Sequence, residues 1–205
     1  MKPKLFILLS VLFALCFSTS YAETVKNSTR YHFKVSKKEY RFSTFFEIDS
    51  EDAPRGNVKK SFFRMRTNYD LSDINGWQAT GIVRVMSLGL LFTWAKEIDM
   101  YDTTGQYIGM IDGQAMTTAA ARYSIYDGSN NLVGIAFLDQ NCSGFTITHP
   151  KSEAYTIARL KRNFVQDTVD GWDIIVYEKD LIDARIIRIF AAFVCDYQNT
   201  FKTDT

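Results

Sequence analysis

The sequence predicts a mainly β protein, an antiparallel barrel or highly curved sheet with one C-terminal helix as its core. Three observations carry this. Aromatic residues make up 15% of the 205-residue chain, with 16 Phe and 11 Tyr against only three Pro, a balance that favours strands. Short aromatic and β-branched segments recur between clear turn signals. Finally, nine of the ten residues from Ile186 to Cys195 are apolar.

The elements follow in order. Strands are expected over Tyr31–Val35, Tyr40–Ile48, Val58–Thr67 and Gln78–Met86, then Phe92–Tyr101, Gln106–Ile111 and Arg122–Tyr126. Leu132–Leu138, Phe145–Thr148, Ala154–Leu160 and Trp172–Tyr177 complete the set. Asp102-Thr103-Thr104-Gly105, Asp127-Gly128-Ser129-Asn130-Asn131 and Asp170-Gly171 separate them with residues that bond their own backbone or accept a positive φ. The final segment is helical: Asp180 or Asp183 offers an N-cap, Asp183 adds negative charge to the first turn, and Ala191-Ala192 favour helix. An amphipathic surface helix would show a polar face; this one shows only Arg188, so it must be enclosed. It is too short to span a bilayer.

The first residues read as a secretory signal. Lys2 and Lys4 form a positive start, Leu5–Phe17 is apolar except for Ser10, and Ser20-Tyr21-Ala22 supplies a small-residue cleavage site. The expected organisation is therefore a signal peptide over residues 1–22 and one domain over 23–205, exported to a periplasm or secreted. Cleavage removes two lysines and no acid, so the formal charge passes from +1 to −1. That near-neutral balance argues against a protein that coats nucleic acid. Export leaves Cys142 and Cys195, whose even count permits one disulfide, with two buried thiols as the alternative.

Two hairpins share a pattern. Ile98-Asp99-Met100-Tyr101-Asp102 turns into Tyr107-Ile108-Gly109, and Ile125-Tyr126-Asp127 turns into Leu132-Val133-Gly134. Asp starts each turn, and Gly lets the returning strand bend or another backbone approach. This repeat, with Trp172-Asp173-Ile174-Ile175-Val176-Tyr177 running into Asp180, Asp183, Arg185 and the apolar helix, resembles the LURP-one-related and phospholipid-scramblase-like group of the tubby C-terminal-like superfamily. The resemblance covers roughly Thr93 to Val194. It implies a closed antiparallel barrel of about twelve strands wrapped around one hydrophobic C-terminal helix. It also implies a non-enzymatic protein that binds an anionic lipid.

Motifs for chemistry are sparse. His32 and His149 are far apart, without metal-ligand spacing. There is no nucleophile elbow or phosphate loop. In the Asp127–Asn131 segment the distal Glu of a calcium loop is missing, so it reads as a turn. Glu47, Asp49, Glu51 and Asp52 read as a solvated loop rather than an acid–base pair. No catalytic residue and no cofactor is implied.

The strongest binding candidates are basic. Alternation places Lys60, Phe62, Arg64 and Arg66 on one face of a strand, and Arg159, Lys161 and Asn163 on one face of another. If the two strands neighbour each other, Lys60, Arg64, Arg66, Arg159 and Lys161 form a positive patch for a phosphate or an anionic headgroup at a membrane surface. Arg185 and Arg188 are expected at the barrel mouth beside Asp180 or Asp183, since a buried arginine needs a carboxylate. A protein partner is the other ligand class for such a barrel. The competing reading is a lipocalin-like carrier of a small apolar ligand, which needs an open lumen and an external helix. A secreted hydrolase assembled from scattered residues is a third class, with no motif in its favour.

Overall fold

The computed structural model describes residues 30–52, 54–61, 66–84, 91, 95–114, 121–163 and 171–201. The signal-peptide segment lies outside them. Twelve strands follow in chain order: β1 Tyr31–Tyr40, β2 Ser43–Asp49, β3 Gly56–Ser61, β4 Asn68–Asp73, β5 Gly76–Val83 and β6 Glu97–Asp102. β7 Tyr107–Gln114, β8 Arg122–Asp127, β9 Leu132–Leu138, β10 Gly144–His149, β11 Ser152–Asn163 and β12 Gly171–Val176 complete the sheet. One helix, α1, spans Ala184–Asp196. Each strand pairs antiparallel with its chain neighbour, and β1 closes the ring on β12 with Phe33 opposite Ile174. The expected closed antiparallel barrel of twelve strands is present.

Three expectations on strand bounds are corrected. β1 continues to Tyr40, which was assigned to the second strand. The strand expected over Val58–Thr67 ends at Ser61. β4, Asn-Tyr-Asp-Leu-Ser-Asp, was not anticipated. Its inward apolar residues are only Tyr69 and Leu71, while Asp70, Ser72 and Asp73 give it the look of a loop. Asp70 accepts from Thr80 Oγ1 at 2.8 Å across the β4–β5 pair, so its polarity is satisfied within the sheet.

The helix runs through the closed barrel. Ile186 to Cys195 are all buried. Phe190 and Phe193 meet Tyr123 of β8 edge-on at 5.3 and 5.6 Å, Phe190 meets Phe145 of β10 at 5.8 Å, and Phe193 meets Tyr69 of β4 at 6.2 Å. Contacts on so many sides explain why the helix has no polar stripe. Each fully buried phenylalanine contributes about 1.5–3 kcal/mol of transfer free energy. Asp183 caps the helix: its Oδ1 accepts from Arg185 N at 2.8 Å. It is the cap itself, and no acidic residue lies in the first turn.

The repeat glycines have a shared purpose. A Cβ on Gly109, at φ +151°, would lie 2.3 Å from Tyr126 O and 2.7 Å from Ile186 Cδ1; one on Gly134 would lie 2.8 Å from Ile182 Cδ1. Both admit the apolar segment that enters the barrel. At the turns, Asp102 Oδ1 accepts from Thr104 and Gln106 N, and Asp127 Oδ1 from Ser129 and Asn131 N. The entry end of α1 therefore carries short turns. Its C-terminus reaches the opposite mouth, where the longer β3–β4, β5–β6, β7–β8 and β11–β12 connections leave the strands.

Candidate functional site

The predicted basic patch does not form as a unit. β3 and β11 are separated around the ring by β2, β1 and β12. Arg159 and Lys161 are exposed on the outer wall of β11. Arg66 is exposed beyond the end of β3, and Arg64 lies outside the described residues. Lys60 points the other way. Val58, two residues before it, is buried in the core, so alternation carries Lys60 to the inner face at the mouth.

There Lys60 joins a cluster that composition did not reveal. Lys60 Nζ donates to Asp196 Oδ2 at 2.6 Å, and Lys37 Nζ lies 3.4 Å from Asp196 Oδ1. Tyr69 Oη donates to the same Oδ2 at 2.9 Å. Lys96 Nζ donates to the Tyr197 hydroxyl and sits 4.7 Å from its ring centroid; Lys60 Nζ sits 5.7 Å from the same centroid. Asp196 keeps 6% side-chain exposure, Lys60 16% and Lys37 20%. The second carboxylate, Glu39, is 2.6 Å from Lys37 but 70% exposed. Among the described residues three lysine side chains thus face two carboxylates, one of them largely in water.

Each element places its contribution for a local reason. Lys37 continues the inward series Phe33, Val35 along β1. Tyr69 is paired with the backbone of Lys60 across β3–β4. Lys96 precedes β6, where its carbonyl accepts from Gly113 N at 3.2 Å. A Cβ on Gly113 would come within 2.8 Å of Ala95 Cα and 2.9 Å of Lys96 N, so glycine is what lets this backbone close against β7. Asp196 and Tyr197 end α1, where the negative end of the helix dipole also favours cations.

Environment separates the lysines. Burial pulls Lys37 down, but the carboxylates of Glu39 and Asp196 outweigh it and raise its pKa above the usual lysine value. For Lys96 burial dominates and lowers the pKa, with Asp196 offsetting only part. Burial, reinforced by Asp196, holds the Tyr69 phenol well above its ordinary value. Burial also raises Tyr197, against the lowering effect of Lys60.

The rim at this end is aromatic and basic. Tyr40 and Phe42, in the β1–β2 turn, are 59% and 61% exposed. Arg41 lies over the Phe42 ring at 5.1 Å and Lys59 over Phe45 at 5.7 Å. A groove of about 790 Å³ runs nearby along β2 and β3. Glu47 and Asp49 line it, a charge that suits an anion poorly, so size and chemistry point to different places and chemistry favours the mouth.

The cysteines take the second of their two alternatives, and the expectation for Arg188 changes. Cys142 and Cys195 are separate buried thiols, not a disulfide. Cys142 sits in the β9–β10 turn at φ 52°, and Cys195 lies in the helix with Sγ 4.0 Å from Gln198 Oε1. Arg188 does not reach Asp180 or Asp183. Asp183 pairs with Arg185 at 2.6 Å instead. Arg188, only 6% exposed, donates from Nη2 to Pro54 O at 3.3 Å, and its Nε has no hydrogen-bond partner.

The structure thus defines a plugged antiparallel barrel with a cationic, aromatic-rimmed mouth. No family model and no curated protein matches the chain. Inward parity at the mouth was the missed signal for Lys37, and Asp196 is the first polar residue after the apolar run.

Proposed function

We propose that this chain is an exported, non-enzymatic binding barrel whose loop-side mouth holds an anionic lipid headgroup through Lys37, Lys60 and Lys96. The observation that carries this reading is the convergence of three half-buried lysine side chains at the mouth, Lys37 and Lys60 on Asp196 and Lys96 on Tyr197. Lysine is an effective point-charge ligand for phosphate, and partial burial strengthens each contact relative to water. Tyr40 and Phe42 suit the headgroup level of a bilayer, with Arg41 beside them. The outer wall carries exposed Lys34, Lys59, Arg159 and Lys161, which suit water rather than hydrocarbon. The barrel therefore meets a membrane surface end-on. The signal-like residues 1–22 and the resemblance to tubby-like barrels support the same reading. The carrier alternative needs an open apolar lumen, and α1 occupies that space.

Flotation with neutral phosphatidylcholine vesicles, and with vesicles containing phosphatidylserine, tests the proposal. Binding confined to the anionic vesicles, weakened by salt and by Lys60→Gln, is expected. Equal behaviour with both vesicle types overturns it and favours a protein partner.

A further inference from the structure

The mouth contains more than surplus charge. Lys96 Nζ donates to the Tyr197 hydroxyl, and Tyr69 Oη donates to Asp196 Oδ2 at 2.9 Å. Lys37 and Lys60 contact the carboxylate directly, at 3.4 and 2.6 Å. Lys96 instead donates to the Tyr197 hydroxyl and forms no ion pair among the described residues. Asp196 therefore compensates the charges of Lys37 and Lys60 best, and the proton on Lys96 is the least supported of the three. Burial acts on Lys96 in the same direction. An amine that is partly desolvated and lacks an ion-pair partner among the described residues is in the environment that leaves a lysine neutral and nucleophilic. Its backbone position is fixed by the Gly113 contact, and its outlet for a proton is the Tyr197 hydroxyl.

We propose that Lys96 captures an anionic aldehyde or ketone as a reversible imine, with Lys37 and Lys60 holding the ligand's anionic group. The inference rests on the anion-binding reading of the same mouth. The neutral amine attacks the carbonyl carbon and the C–N bond forms as the C=O π pair moves to oxygen. The two amine hydrogens end on that oxygen, which leaves as water, so imine plus water balances amine plus carbonyl compound. Tyr197, which accepts from Lys96 Nζ, is placed to move the proton between nitrogen and oxygen. No oxidant or reductant takes part.

The test uses the full chain at neutral pH, with propanal and with pyridoxal 5′-phosphate as probes. Cyanoborohydride traps the imine and mass spectrometry maps the label. Lys96 is expected to be modified several-fold faster than exposed Lys34, Lys151 and Lys161 by both aldehydes. The phosphate-bearing probe should gain a further advantage that inorganic phosphate suppresses. Tyr197→Phe should slow labelling and change its pH profile, while leaving the thermal transition in place. Labelling that follows exposure with both probes overturns the proposal, even where phosphate still binds. Fast labelling by propanal with no gain for the phosphate probe keeps the nucleophilic amine and removes the anionic part of the ligand.

Discussion

Replacing Asp196 by Asn tests the arrangement of the mouth most economically. The substitution keeps an oxygen that can accept from Tyr69 and removes the charge that Lys37 and Lys60 contact. Deleting one partner of a buried ion pair costs about 3–5 kcal/mol. The lysines keep 16% and 20% side-chain exposure, and Glu39 remains beside Lys37, so water and the second carboxylate reduce the loss to about 2–3 kcal/mol. For a domain of this size that lowers the melting temperature by about 5–10 °C. The assay is thermal unfolding at low salt, repeated with inorganic phosphate. Phosphate should stabilise Asp196→Asn more than the native protein, because an added anion takes over the role of the missing carboxylate. A melting temperature unchanged from the native protein, or equal stabilisation of both by phosphate, refutes the reasoning.

Other predictions follow from the fold. Gly109→Ala forces a Cβ to within 2.3 Å of Tyr126 O at φ +151°; it should destabilise by about 3 kcal/mol in denaturant titrations. Arg188→Met should raise stability by about 1–2 kcal/mol, since the buried guanidinium gains only a carbonyl contact and methionine fills similar volume without a charge; a clear loss of stability would show that Arg188 has a stronger partner. Asp127 has its pKa lowered, first by the Asn131 side chain and then by the turn amides. A depressed folded value means stabilisation present above the ordinary carboxylate value of 3.8 and lost as pH falls through the folded one. Asp127→Ala should therefore melt below the native protein at neutral pH, and the gap should narrow progressively in acid.

The barrel was legible because its central helix leaves no choice: ten residues apolar nearly all round, too short for a membrane, must be surrounded by the rest of the chain. The repeat Tyr-Asp-turn-hydrophobic-Gly was legible as hairpins. The fact that Gly109 and Gly134 admit Ile186 and Ile182 was not, because it depends on contacts distant in sequence. β4 was hidden by Asp70, Ser72 and Asp73; Thr80 and Gln78 satisfy the two aspartates from a strand that a local reading does not pair with it. Lys60 was singled out for its charge and assigned with the wrong companions. Strand parity showed which residues share its face, but only the buried neighbour Val58 and the ring order decide that the face is inside. Lys96 carried no local signal at all. Its role comes from Gly113 on β7 and Tyr197 beyond the helix, brought together by closure of the barrel.

The proposed anion site lies inside the mouth and not on the outer strip of β11. Side-chain ammonium NMR of nitrogen-15-labelled lysines, followed during titration with a soluble short-chain phosphatidylserine, tests it directly. Saturable shifts with a common affinity are expected for Lys37 and Lys60, while Lys161 stays in place. Shifts confined to Lys161, or no saturable shift at Lys37 and Lys60, would contradict it.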